Sequence, residues 1–366
     1  MTPIEREDIQ ATVAAGIISE GQAAQIIAVS EERDGIRSQL TGSDEPFELF
    51  KGFNEVFIII GLVLLYIGWN GIALAFGSVD ALIPSAIAPG VVSLLTLGLL
   101  ARYFTLNRRM VGPSNAIVVM WTLSAMQLGT TLYARFLLDT IPPDSGNMAF
   151  YVSFTGVFVP MFVLAALLAF WYLFRIPSTL FAIALAIYVL VFAVTRASGQ
   201  NIEGWRDIFL LSSEGPFSLI TIALGLFGFL AAMYFDLKDP HRVTRHNKNA
   251  FWVHIIAAPA IVNTVALTLF TDGGTAAIAA LIAFLLFITC SALIVDRRSF
   301  LLSGVIYIIA LAFSIEEGST FTTVFLLGAA LVATGAFWAV LRSALLNTLP
   351  TFPFKDRLPP WAQKPA

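Results

Sequence analysis

His241, His246 and His254 are the only three histidines in the chain, and all lie in or beside one stretch, "DPHRVTRHNKNAFWVHIIAAP", residues 239–259. Imidazoles gathered this closely raise metal binding first. Their spacing fits neither a His-x-x-x-His helical pair, nor a zinc-finger pair, nor a metalloprotease helix. A bis-histidine haem would need opposed imidazoles at membrane depth, which one loop does not supply. No metal and no cofactor is therefore expected. Asp236 and Asp239 have the spacing of aspartate pairs that hold magnesium in lipid-headgroup transferases, but no second pair or glycine-rich continuation follows. They read as a helix end with a turn residue. The sequence also lacks a Gly-x-Ser-x-Gly elbow, a His-Glu-x-x-His helix and a phosphate-cradling glycine loop, so no catalytic residue is assigned.

Other polar residues suggest a path rather than a reaction. Ser124, Gln127, Thr131 and Arg135 recur at i, i+3, i+7 and i+11, which places them on one face of a helix. With Asn263 they form a candidate polar path; hydrogen bonding between helices is the plainer account of the same stripe. Arg242, Arg245 and Lys248, with His241, His246 and His254, are candidate contacts for anionic lipid headgroups. His254 lies about 6 Å into its helix at ~1.5 Å per residue, near enough to the headgroups to keep its hydration. Cys290 stands alone in an apolar run, which excludes an intrachain disulfide and a thiolate metal cage.

The elements that must carry these residues follow from composition. The chain is 58% hydrophobic and only 12% charged, with a mean hydropathy of +0.83, about half the charge of an ordinary soluble protein. An all-α, polytopic transmembrane bundle is expected, with the lipid bilayer as its surroundings. Apolar runs long enough to cross about 30 Å of hydrocarbon recur about ten times, near 55–76, 82–104, 113–136, 149–174, 177–195, 217–236, 250–270, 274–294, 299–315 and 320–346. The bundle thus occupies 47–348, and 349–366 is a Pro-rich tail. No acidic or basic residue falls near the centre of a span, which weakens an ion-relay reading. Even so, "AIAPGVVS" (86–93) and "IAAPAIVN" (256–263) occupy corresponding second spans of two five-span halves, each with a proline, Pro89 or Pro259. Inverted repeats are built this way.

Orientation follows from positive charge. With the amino terminus inside, every lysine and arginine except Arg135, Arg196 and Arg206 falls in a cytoplasmic segment. Both termini are therefore expected in the cytoplasm, with the chain in a bacterial inner membrane. The amino terminus has no basic region leading directly into an apolar core, so the first span is expected to direct insertion. A net charge of -3 gives no reason to expect nucleic acid.

Residues 1–46 are acidic and polar, an aqueous module of two short helices with a linker. Thr2-Pro3 starts the first helix, Gly16 ends it, and Ser19-x-x-Gln22 is a capping box for the second. Ile4, Ile9 and Val13 are expected to meet Ile26, Ile27 and Val29. The hairpin "GIISEGQAAQII", followed by a charged tract and a first span containing "GWN" (68–70), resembles a broad bacterial group of polytopic membrane proteins with a cytoplasmic helical N-terminal domain. The 239–259 block is similar to one in alphaproteobacterial membrane proteins. Neither resemblance implies an activity. The leading expectation is a non-enzymatic membrane scaffold whose hairpin binds a protein partner or a second copy. A transporter or channel is the alternative, and an enzyme acting on lipid-linked substrates comes third.

Overall fold

In hydrocarbon every backbone N–H and C=O must find its partner within the protein, and for a run of some twenty apolar residues the helix is the local solution. The computed structural model describes residues 6–33, 53–75, 82–136, 148–200, 202, 204–211, 215–240, 242, 244–272, 274–298, 325, 328, 329, 332–353 and 355–359. All of its regular structure is helical. The N-terminal helices are α1 (Arg6–Ala14) and α2 (Glu20–Arg33). The long helices are α3 (Phe53–Ala75), α4 (Leu82–Ala101), α5 (Val111–Phe136), α6 (Met148–Phe174) and α7 (Ser178–Ala197), then α9 (Phe217–Lys238), α10 (Arg245–Asp272) and α11 (Gly274–Val295). Between and after these lie the short α8 (Trp205–Phe209) and α12 (Trp338–Thr348).

Among the described residues seven helices are long and apolar enough to cross a membrane, α3 to α7, α9 and α10. This is a multi-pass membrane protein. The seven coincide with the first seven expected spans, the second continuing through a π-wound stretch, Arg102–Asn107. The eighth expected span corresponds to α11, whose apolar part, Ala279–Val295, is shorter. The ninth, 299–315, lies outside the described residues, and the tenth lies partly outside them.

The chain divides into two units. One comprises Phe47–Glu203 with Gly215–Phe217 and holds α3 to α7. Within it α5 packs against α3, α4, α6 and α7. The α4–α5 approach is close: a Cβ on Gly90, next to Pro89, would lie 3.1 Å from a Leu128 methyl carbon. Trp121 of α5 sits 4.7 Å from Phe170 of α6, ring to ring, and donates its Nε1–H to the Ala166 carbonyl at 3.1 Å. At one end Glu55 of α3 reaches the first turn of α5, its carboxylate accepting the Val111 and Gly112 N–H groups at 3.3 and 2.8 Å. A carboxylate there satisfies otherwise unmatched donors and meets the positive end of the helix dipole.

The other unit comprises Met1–Pro46, Gly204–Glu214 and Ser218–Ala366. The capping box forms as expected, with the Ser19 N–H on Gln22 Oε1 at 2.8 Å and the Gln22 N–H on Ser19 Oγ at 3.2 Å. Gly16 adopts the left-handed conformation, φ 74°, that lets α1 end. Ala23 and Ile27 are buried against Ile9, Val13 and Ile18. Ile26 and Val29 point outward instead, because the face one turn up is taken by the small Ala23, which lets α1 approach. Ile4 lies outside the described residues. In the apolar part α9 and α10 pack with glycine at the seam: a Cβ on Gly225 would fall 2.9 Å from Ala260 Cβ, and one on Gly228 3.2 Å from Ala257 Cβ.

Candidate functional site

Where α9 gives way to α10, acidic and basic side chains turn inward rather than toward the surroundings. Asp236 comes from the last turn of α9 and Asp239 from the turn after it. Arg242 lies in that loop, Asn247 and His254 on α10, Asp296 and Arg297 just after α11, and Trp338 and Arg342 on α12. All are buried.

Two clusters make up the centre. In the first, Arg297, fully enclosed at 0% exposure, donates Nε to Asp236 Oδ2 at 3.2 Å and Nη2 to Asp236 Oδ1. The same Nη2 reaches Asn247 Oδ1 at 2.8 Å. His254 Nε2 lies 2.9 Å from Asp236 Oδ2. Its ring is also enclosed, at 0% exposure and 5.8 Å from Phe229, so α9 and the α10 start desolvate a group expected to stay hydrated at the headgroup layer.

The second cluster surrounds Asp296. Its Oδ2 lies 3.1 Å from Arg242 Nη1, its backbone carbonyl accepts Arg242 Nη2, and its Oδ1 accepts the Trp338 indole N–H at 2.6 Å. Arg342 lies 3.8 Å away through Nε, which donates to the Leu293 carbonyl at 3.0 Å. Burial alone would raise the Asp296 carboxyl. The Arg242 and Arg342 guanidiniums, the Trp338 N–H and Arg297 outweigh burial and hold it below the usual aspartate range. Asp296 and Arg242 both adopt positive φ, 61° and 54°, as the chain leaves α11 and turns between α9 and α10.

Asp239 shapes the same loop. Its Oδ2 accepts both the N–H and the hydroxyl of Thr244 at 2.8 Å, and the Thr244 hydroxyl accepts the His246 N–H at 3.2 Å. The two aspartates that suggested a magnesium pair therefore have separate duties, one on Arg297 and His254, the other on the entry to α10. Two carboxylates face the guanidiniums, Asp236 that of Arg297 and Asp296 those of Arg242 and Arg342. Chemically the centre can hold the ends of α9, α10, α11 and α12 together. Its arginines are matched to carboxylates, as buried charges must be.

The residues singled out from sequence fall in different surroundings. Arg245 is exposed, 3.4 Å from Glu20. Lys248 and His246 are half-buried, His246 stacked on Phe235 at 5.7 Å. His241 lies outside the described residues. Of the polar stripe, Ser124 is buried and donates to the Tyr66 hydroxyl at 3.2 Å. Thr131 donates to the Gln127 carbonyl at 2.9 Å, and Arg135 is exposed. Asn263 belongs to α10 in the other unit, and its Oδ1 is enclosed without a hydrogen-bond partner among the described residues.

Sequence reasoning missed Asp296, Arg297, Trp338 and Arg342 as members of a site. The signal was present for Arg342, an arginine inside the last expected apolar run, because charge within a span marks a special position. For Arg297 the topological rule was satisfied by any cation in that loop, which hid its particular partner.

Comparison with family models, with curated proteins and with solved structures gives no match to this chain. What stands is a polytopic helical membrane protein with short N-terminal helices and a buried ionic centre.

Proposed function

We propose that the chain is a membrane scaffold of the bacterial inner membrane, with both termini in the cytoplasm and the N-terminal hairpin as its contact surface. The observation that carries this reading is the internal matching of charge around Arg297, whose guanidinium serves Asp236 and Asn247 of the same chain. Such a centre fixes helices rather than presenting groups to a substrate. On the hairpin, Ile26 and Val29 are exposed, Val29 to 62%, on one face of α2. That face suits a protein partner or a second copy. Arg245, Lys248, His246 and His241 are assigned to anionic headgroups, and the enclosed Arg242 and His254 support that layer from within.

A cross-linking experiment tests the reading. With Cys290 replaced by serine, Val29→Cys should give a site-specific cross-link in native membranes, to a partner or to a second copy. Ile26→Asp should abolish it while membrane insertion continues. No cross-link at Val29, together with sodium or proton flux in proteoliposomes that Ser124→Ala or Gln127→Ala abolishes, would overturn the scaffold in favour of transport.

Transport is the second reading, favoured by the division into two units near the junction of the fifth and sixth spans. Pro89 and Pro259 lie inside the second long helix of each, the corresponding positions that an inverted repeat would give them.

A further inference from the structure

Beyond α12 the chain folds back on the ionic centre. Leu358 is buried against the fully enclosed Leu346, with Ile294 and Phe352 packed alongside. Lys355 Nζ donates to the Leu346 and Leu349 carbonyls at 2.7 and 2.8 Å, covering the last turn of α12 where carbonyls lack helical partners. Arg342 Nη2 donates to the Pro359 carbonyl at 2.6 Å. Residues 349–353 and 355–359 thus form a strap, held by the Leu358 and Phe352 side chains, the Lys355 ammonium and the Arg342 guanidinium.

Arg342 is held differently on its two sides. Its inner Nε faces the Leu293 carbonyl and the Asp296 carboxylate, both next to the end of α11. Its outer nitrogen faces the strap's neutral carbonyl. An anionic oxygen in the place of that carbonyl would make a charge-assisted bond, about twice as strong as a neutral one. Arg342 neighbours Asp296, which pairs with Arg242 of the loop assigned above to anionic headgroups, so on that assignment the guanidinium lies near lipid phosphates.

We propose that this strap is a releasable closure over Arg342, and that the phosphate oxygen of a net-anionic headgroup, whose charge no choline ammonium offsets, displaces the Pro359 carbonyl to open it. The lipid headgroup is the source that the position of Arg342 favours. The inference does not depend on the scaffold reading, since a transporter could carry the same closure.

Tryptic cleavage after Lys355 and Arg357 reads the state of the strap. The full chain is reconstituted in phosphatidylcholine vesicles and in equal mixtures of phosphatidylcholine and phosphatidylglycerol. Cleavage should be slow in the first and about tenfold faster in the second. Arg342→Gln should cleave fast in both, with the lipid dependence gone. Leu358→Ala, which leaves every charged group in place, should also cleave fast in neutral vesicles and so covers the case in which Arg342→Gln does not fold. A rise produced in neutral vesicles by 10 mM inorganic phosphate alone would keep the phosphate chemistry and assign it to a soluble source. Equal rates for the unaltered protein in all three conditions, or a strap that Leu358→Ala leaves protected, would overturn the proposal.

Discussion

Asp296 and Arg297 are consecutive in the chain, yet their side chains enter different clusters. Asp296 accepts from Trp338 at 2.6 Å and pairs with Arg242 at 3.1 Å, whereas Arg297 engages Asp236 and Asn247. The turn that ends α11 is therefore the joint between the two clusters of the centre. The left-handed φ of Asp296, 61°, is what separates the two directions.

Removing Arg297 leaves the Asp236 carboxylate enclosed with its main cation gone. Arg297→Met should destabilise the protein by about 3–5 kcal/mol, the range for breaking a buried pair from one side. Asp236→Asn combined with Arg297→Met should recover a large part of that loss. Thermal unfolding in detergent across the four-member cycle measures the coupling, and additive single losses would show that the pair is not coupled.

Acid should weaken the second cluster in a defined direction. The folded-state pKa of Asp296 is held below its unfolded value, so its contribution is full above about pH 4, the ordinary aspartate value, and fades as pH falls through the lower folded value. Asp296→Asn should lower the melting temperature at pH 7 and flatten its decline in acid. Melting temperatures of both proteins between pH 2 and pH 7 check the sign.

At the other unit, Glu55 caps α5 from a distance of 57 residues in sequence. Glu55→Gln keeps an acceptor but removes the charge facing the helix dipole and should cost up to about 2 kcal/mol. Glu55→Ala should cost more, since Gly112 then loses its acceptor as well. Urea unfolding in mild detergent would rank the two.

Glycines offer a paired test of packing. Gly225→Val places carbon where Ala260 and Ile261 atoms already stand, at 2.9 and 3.0 Å, and should cost about 1–3 kcal/mol. Gly61→Ala meets nothing within 4 Å among the described residues and should be neutral or slightly stabilising. Gly61 thus borders open space among the described residues, whereas close packing occurs at Gly225 and Gly228.

These contrasts show what a linear reading could reach. The first seven span positions were legible because some twenty consecutive apolar residues leave the backbone one local solution. The capping box at Ser19 and Gln22 was legible because its donors and acceptors are three residues apart. Pairing between Asp236 and Arg297 was not, since nothing local in either residue names the other, and the rule that gathers cations at one side of a membrane is satisfied by any of them. The outward turn of Ile26 and Val29 was missed for a related reason: a small alanine, not the larger apolar residues, decided which face α1 could approach.

The distance along the chain between Asp236 and Arg297, 61 residues, sets an order on assembly. A nascent chain carrying Asp236 toward the bilayer holds an anion whose guanidinium has yet to be translated, so the sixth span cannot settle into its final lodging until α11 emerges. Ribosomes halted before Arg297 should leave that span loosely inserted and open to membrane quality-control proteases, while release only a few codons later restores its hold.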